Sequence, residues 1–191
     1  MQNIHKKYNQ ILYLITKNPG KLKAAKSVFD KYQIPIQSVD KDYPEIQADS
    51  SLEIAKFTAI QVAQEINFPV IREDHSLFIN ALGIPGPYIN YVEKKIPTAK
   101  LLEILNTLGD YTGYFEVATV YAEPNGQTFE NVFKVPMTFG KELKSVNVKS
   151  WNGLIRLNDE SRAITEYPEE ERLGIWNQGY ETVAKYLISK S

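Results

Sequence analysis

With 191 residues, 43% of them hydrophobic, the chain is long enough for a single well-cored domain over 1–191, with 1–10 expected to be flexible. A formal charge of −1 argues against a general nucleic-acid binder, which needs a basic surface, and the lack of cysteine excludes disulfides, thiolate metal sites and cysteine nucleophiles. No apolar run approaches the roughly 20 residues of a membrane span, and Met1 to Gln10 has no signal-peptide core, so a cytoplasmic protein without a membrane partner is expected.

The first apolar run, Ile11-Leu12-Tyr13-Leu14-Ile15, is rich in strand formers and stops at Thr16-Lys17-Asn18-Pro19-Gly20. Asn18 can cap a helix with Pro19 at its first position, and Leu22, Ala25, Val28, Phe29 and Tyr32 then recur on one face. Ile34 to Val39 reads as a second strand and Asp40 to Asp49 as an exposed loop. Ser50-Ser51-Leu52-Glu53 predicts a capping box, which accounts for Glu53 locally, with Leu52, Ala55, Ala59, Val62, Ala63 and Ile66 as the buried stripe.

Next comes Phe68-Pro69-Val70-Ile71, a strand that ends on the adjacent acids Glu73-Asp74, with apolar character resuming at Leu77-Phe78-Ile79. A Pro/Gly bend leads to a helix from about Thr98 to Leu108, with Leu101, Leu105 and Leu108 inward. Tyr111 to Ala122 and Gln127 to Met137 are strands joined by the hairpin signal Pro124-Asn125-Gly126. The stretch from Lys141 to Arg172 is less regular, and Tyr180, Val183, Ala184, Leu187 and Ile188 mark a last amphipathic helix. The order is α/β with an inserted hairpin.

Two places ask for chemistry. Paired carboxylates at the end of a buried strand are costly unless positive charge meets them, and a divalent metal carrying a phosphorylated ligand would do so. The plain alternative is a strand end capped by acids. The loop from Thr16 to Lys21 leads into a helix N-terminus, where free N–H groups and the helix dipole favour an anion. It is not a Walker A loop, and a capped helix with solvated lysines accounts for the same residues. A two-histidine metal cluster has little support, because His5 falls in the N-terminal segment, far from His75 in sequence.

The loop resembles the Ser/Thr-x-Asn-x-x-Lys signature of the inosine triphosphate pyrophosphatase family. Further blocks follow in the family's order: Tyr43-Pro44-Glu45-Ile46-Gln47, Leu52-Glu53, Val70 to Leu77, and Asn80 to Ile89, the similarity running from Ile11 to Ile188. The resemblance implies an α/β fold with an elongated mixed β-sheet, flanking helices and two lobes around a central nucleotide cleft. It also implies hydrolysis of deaminated purine nucleoside triphosphates to monophosphate and pyrophosphate, magnesium (or manganese) as cofactor, and a homodimer. Carried over residue by residue, it implies Glu45 and Asp74 as metal ligands and Asp74 or Glu73 as the group that activates water. Thr16, Lys17, Asn18, Lys21 and Arg172 would bind phosphate, and His75, Trp151, Asn152, Asn177 and Gln178 would face base or substrate.

Departures from the family gather on the nucleotide side. A lysine five residues after the helix-opening glutamate is Thr58 here, with Lys56 half a turn earlier, and another phosphate-reaching lysine is Asn90. The Phe-Gly-Trp/Tyr-Asp block corresponds to Lys149-Ser150-Trp151-Asn152 and the Ser-His-Arg block to Trp176-Asn177-Gln178, with Arg172 at an upstream lysine. Asparagine for aspartate, and amides for His-Arg, change an acceptor and remove cationic donors suited to a 6-oxo base. Trp151 and Trp176 can sandwich a base or belong to the core. Three readings stay open: a pyrophosphatase with an altered base pocket, a nucleotide-binding or interaction protein that no longer turns over, and a pyrophosphatase for pyrimidine or modified nucleotides resembling the septum-formation-inhibitor family.

Overall fold

The computed structural model describes residues 8, 10–44, 46–143, 150–157 and 161–190. Strand β1 (Leu12–Ile15) lies between β2 (Ile36–Val39) and β3 (Val70–Ile79) and runs parallel to both. Parallel neighbours need crossovers, and α1 (Pro19–Phe29) and α2 (Ser51–Ile66) supply them. On its other side β3 pairs antiparallel with β5 (Thr112–Ala122), which turns into β6 (Thr128–Phe139), and β6 pairs with β7 (Ile155–Leu157). Short β4 (Ile84–Gly86) returns antiparallel onto β3. The result is an open, seven-stranded mixed sheet.

Alternation along β3 and β5 sends side chains to two faces with different covers. Ile71 and Tyr121 join Val28 and Phe29 of α1 and Val183 and Leu187 of α6 (Gln178–Lys190). Val70, Ala118 and Val120 receive Ala55, Ala59 and Val62, a small-residue stripe of α2 at helical spacing. Farther along, Leu77 and Ile79 pack with Leu101 and Leu105 of α4 (Thr98–Leu108), and with Trp151 and Leu154. Between these cores lies the middle of β3. Among the described residues, no helix is long and apolar enough to cross a membrane.

Several expectations are corrected. β3 does not end at Glu73-Asp74; it continues to Ile79, because β5 pairs it along its whole length. Helix α1 stops at Phe29, so Tyr32 reaches the core from the following turn. β2 begins at Ile36, although Ile34 is buried. Leu108 is 46% exposed at the end of α4 instead of inward. A further helix, α3 (Ile89–Lys95), fills the bend; it is short, and its Ile89 and Val92 pack only partly buried against the neighbouring core.

Candidate active site

β1 and β3 run side by side only to the pair Ile15 and Arg72, and β4 takes up that edge of β3 again from Leu77. Among the described residues no strand pairs with Glu73 to Ser76 on that side, and the loop leaving β1 crosses there. Ligands of α/β sheets commonly bind at such a carboxyl end beside a helix N-terminus.

The loop is built by short-range bonds. Asn18 Oδ1 accepts from the Gly20 N–H at 2.8 Å, and the Asn18 N–H donates to Thr16 Oγ1 at 3.0 Å. Pro19 has no N–H to lose at the first helical position. One turn on, Lys21 Nζ donates to the Glu73 carbonyl at 3.0 Å and lies 3.6 Å from Glu73 Oε1. Lys17 faces the acidic loop, 2.6 Å from Asp42 and 3.9 Å from Asp40.

Being adjacent in a strand, Glu73 and Asp74 leave opposite faces of the sheet. Glu73 goes to the side of α1 and α6, opposite Thr119, and is 3% exposed with Oε1 at 2.8 Å from His75 Nε2. Burial works to raise its pKa, but the His75 hydrogen bond and the charges of His75 and Lys21 outweigh it, holding the carboxyl below its ordinary value. Burial, and then the Glu73 charge, raise the pKa of nearby Tyr180, which stays a neutral phenol. Asp74 goes to the α2 side, opposite Ala118.

Two clefts meet here. The larger, about 550 Å³, is lined by Thr16 to Asn18, Lys21, Arg72 and Asp74, by Thr58, and by Asn90 and Glu93 of α3. The smaller, about 330 Å³, lies between α1 and α5 (Glu169–Trp176), with Glu73, Arg172, Leu173 and Trp176 among its lining residues. Asn18, Lys21, His75, Phe115 and Asn152 line both, so one extended ligand can occupy the pair.

The expected site residues therefore divide. Thr16, Lys17, Asn18, Lys21, Asp74, His75, Trp151 and Asn152 all line the larger cleft. Trp151 is 1% exposed, with its indole N–H donating to the Ile96 carbonyl at 2.9 Å, so it is mainly a core residue with an edge at the cleft. Trp176 stacks instead on His75, centroids 5.4 Å apart. Arg172 lines the smaller cleft and not the larger. Asn177 and Gln178 line neither; they form the junction of α5 and α6, where the Asn177 N–H donates to the Leu173 carbonyl and Gln178 Nε2 to the Ile175 carbonyl. Glu45 and Lys149 lie outside the described residues.

Thr58 and Asn90 both face the larger cleft, whereas Lys56 turns away to pair with Glu130 at 2.8 Å. Sequence reading missed Arg72 and Phe115. A charge inside an apolar strand was the signal for Arg72, whose Nη1 donates to the Ile15 carbonyl at 3.2 Å. Phe115 carried none, since its place opposite Leu77 is a tertiary fact. Among the described residues no group of three or more His, Asp and Glu side chains is arranged to hold a metal. Asp74 in a polar cleft still fits magnesium, which is commonly bound by one or two carboxylates and completed by substrate phosphates.

The sequence model of the Ham1 family matches residues 12–175. The chain belongs to the Ham1 family. A relative from Methanopyrus kandleri, named dITP/XTP pyrophosphatase, is 39% identical over 130 residues, 68% of this chain and 65% of the relative. The matched part thus spans just under two thirds of that protein. A dITP/XTP pyrophosphatase of Thermococcus kodakarensis is 28% identical over 177 residues, 82% of this chain and 94% of the relative. Among solved structures, a HAM1 protein from Coxiella burnetii matches with TM-score 0.78 at 19% identity, over 95% of this chain and 100% of that one. The Ham1 protein of Staphylococcus aureus matches with TM-score 0.75, also at 19% identity, over 95% of this chain and 100% of that one. Both share the mixed α/β fold, and the resemblance drawn from the Thr16 to Lys21 loop and the β3 acids is borne out at the level of the family.

Proposed function

We propose that the protein is a magnesium-dependent nucleoside triphosphate pyrophosphatase for non-standard purine nucleotides, with a base pocket that departs from that of its relatives. One observation carries this reading: Asp74 shares a cleft with the capped Thr16 to Lys21 loop, while its neighbour Glu73 is buried on the other face. The loop N–H groups, Thr16 and Lys21 would receive the phosphates, and Asp74, together with Glu45 by the family resemblance, would hold the metal. When bound, magnesium would offset charge on the phosphate oxygens. A carboxylate has two oxygens, so Asp74 can also accept the proton of the attacking water. The water oxygen bonds to the α-phosphorus as the α–β bridging bond breaks, giving monophosphate and pyrophosphate.

Pyrophosphate release over a panel of standard, deaminated and modified triphosphates, with and without magnesium, tests the reading. Release from at least one of them, lost in Asp74→Asn, is expected; no turnover anywhere would sink it. A second reading, a binder that does not hydrolyse, is favoured by the cations at the cleft. Lys17 is paired with Asp42, Lys21 with Glu73 and Lys41 with Glu65, and Thr58 and Asn90 are neutral. Calorimetric nucleotide binding without pyrophosphate release would select that alternative. We also propose a homodimer, because Leu82, Ile84, Tyr88 and Tyr91 expose a run of apolar surface around β4 and α3.

A further inference from the structure

We infer that Arg72 is a pyrophosphate-binding residue, its guanidinium supplying from β3 the positive charge that neutral Thr58 on α2 does not. The inference rests on the pyrophosphatase reading and adds the side chain that holds the leaving group. Arg72 and Asp74 are two residues apart on β3 and so share its α2 face; Arg72 lies opposite Val120, which packs with α2. Arg72 Nη1 donates to the Ile15 carbonyl at 3.2 Å, which ties the guanidinium to the residue before Thr16, where the phosphate loop begins. Asn18, Lys21 and His75 line both clefts and mark their junction, whereas Thr16, Thr58, Arg72 and Asp74 line the larger alone. A triphosphate hydrolysed at Asp74, with its nucleoside on the junction side, therefore has its two outer phosphates on the side of Arg72.

Thr58 makes room for that charge. Helix α2 turns straight into β3, so the two run antiparallel, and Val62 shares a core with Val70. Thr58 lies one helical turn back from Val62, about 6 Å, and Arg72 lies two strand residues on from Val70, about 6.6 Å. The two side chains stand at one level and line the same cleft. Thr58 is 1% exposed, and among the described residues its Oγ1 has no hydrogen-bond partner. A buried hydroxyl of this kind is costly unless a ligand supplies an acceptor, which a phosphate oxygen does. A cation at position 58 would face the guanidinium, and like charges at a partly dry site oppose each other. The guanidinium presents a planar fork that matches two phosphate oxygens, so a pyrophosphate group suits it.

Calorimetry on the full chain tests this, with inorganic pyrophosphate and inosine monophosphate as probes, each with and without magnesium. Arg72→Met should weaken pyrophosphate binding about tenfold or more while changing the monophosphate little. Arg72→Lys should lose less, because an ammonium keeps the charge but not the two-pronged contact. Adding Thr58→Lys to Arg72→Met should recover most of the pyrophosphate affinity, since the new ammonium reaches the same phosphates from α2. A merely structural Arg72 would not be rescued from another element. Thermal melts establish that each variant compared is folded; should Arg72→Met not fold, the loss in Arg72→Lys carries the test. Unchanged pyrophosphate affinity in Arg72→Met, no pyrophosphate binding by the wild type under either condition, or a folded double variant no tighter than Arg72→Met would each overturn the inference. Binding of pyrophosphate needs no turnover, so a wild type that binds it but hydrolyses no triphosphate would sink the pyrophosphatase reading and leave the Arg72 contact standing.

Discussion

At the scale of single residues, two neighbouring carboxylates have different work because a strand turns alternate side chains apart. Asp74 meets the larger cleft, while Glu73 holds Lys21 and His75 from beneath. Asp74→Asn should therefore abolish pyrophosphate release with little change in stability. Glu73→Gln should keep measurable turnover but lower stability by about 2 kcal/mol, because the buried network loses the negative charge that faces Lys21 and His75. Urea denaturation beside the activity assay checks both. A stable but inactive Glu73→Gln would instead make Glu73 a reacting group. Both acids were legible in the sequence as candidates, but their division was not, since it depends on which face β5, α2 and α6 cover.

At the scale of elements, the loop and α1 were readable because their bonds are local. Asn18 caps, Pro19 starts the helix, and Thr16 receives the Asn18 N–H. Asn18→Ala should cost about 1 kcal/mol and raise KM for the triphosphate, measured by thermal melting and by initial rates. Helix α6 was equally plain in its apolar period, yet its closest approach to the sheet was not. A Cβ on Gly179 would overlap Thr119 Oγ1 on β5, so Gly179→Ala should destabilise by about 1 to 3 kcal/mol, seen as a lower Tm. Helix α3 and the second half of β3 escaped for opposite reasons. One is short and only partly buries its apolar residues, and the other was interrupted by charges whose partners are distant in sequence.

At the scale of the whole molecule, the apolar run Leu82, Ile84, Tyr88 and Tyr91 should bury itself against a second copy. Sedimentation velocity should show a dimer, and Ile84→Asp combined with Tyr91→Asp should shift it to monomer; a wild-type monomer at micromolar concentration would exclude the pairing. Sequence alone settled the α/β order, the capped loop, the hairpin and the family blocks, because propensity, capping and turn chemistry act over a few residues. It also marked the β3 acids at the start as a place for chemistry. Tertiary structure decided that Asp74 and Glu73 point apart, that Trp151 belongs chiefly to a core, and that Arg172 faces the smaller cleft while Asn177 and Gln178 do not. Those outcomes depend on strand register and helix packing between segments far apart in the chain, which no local pattern encodes.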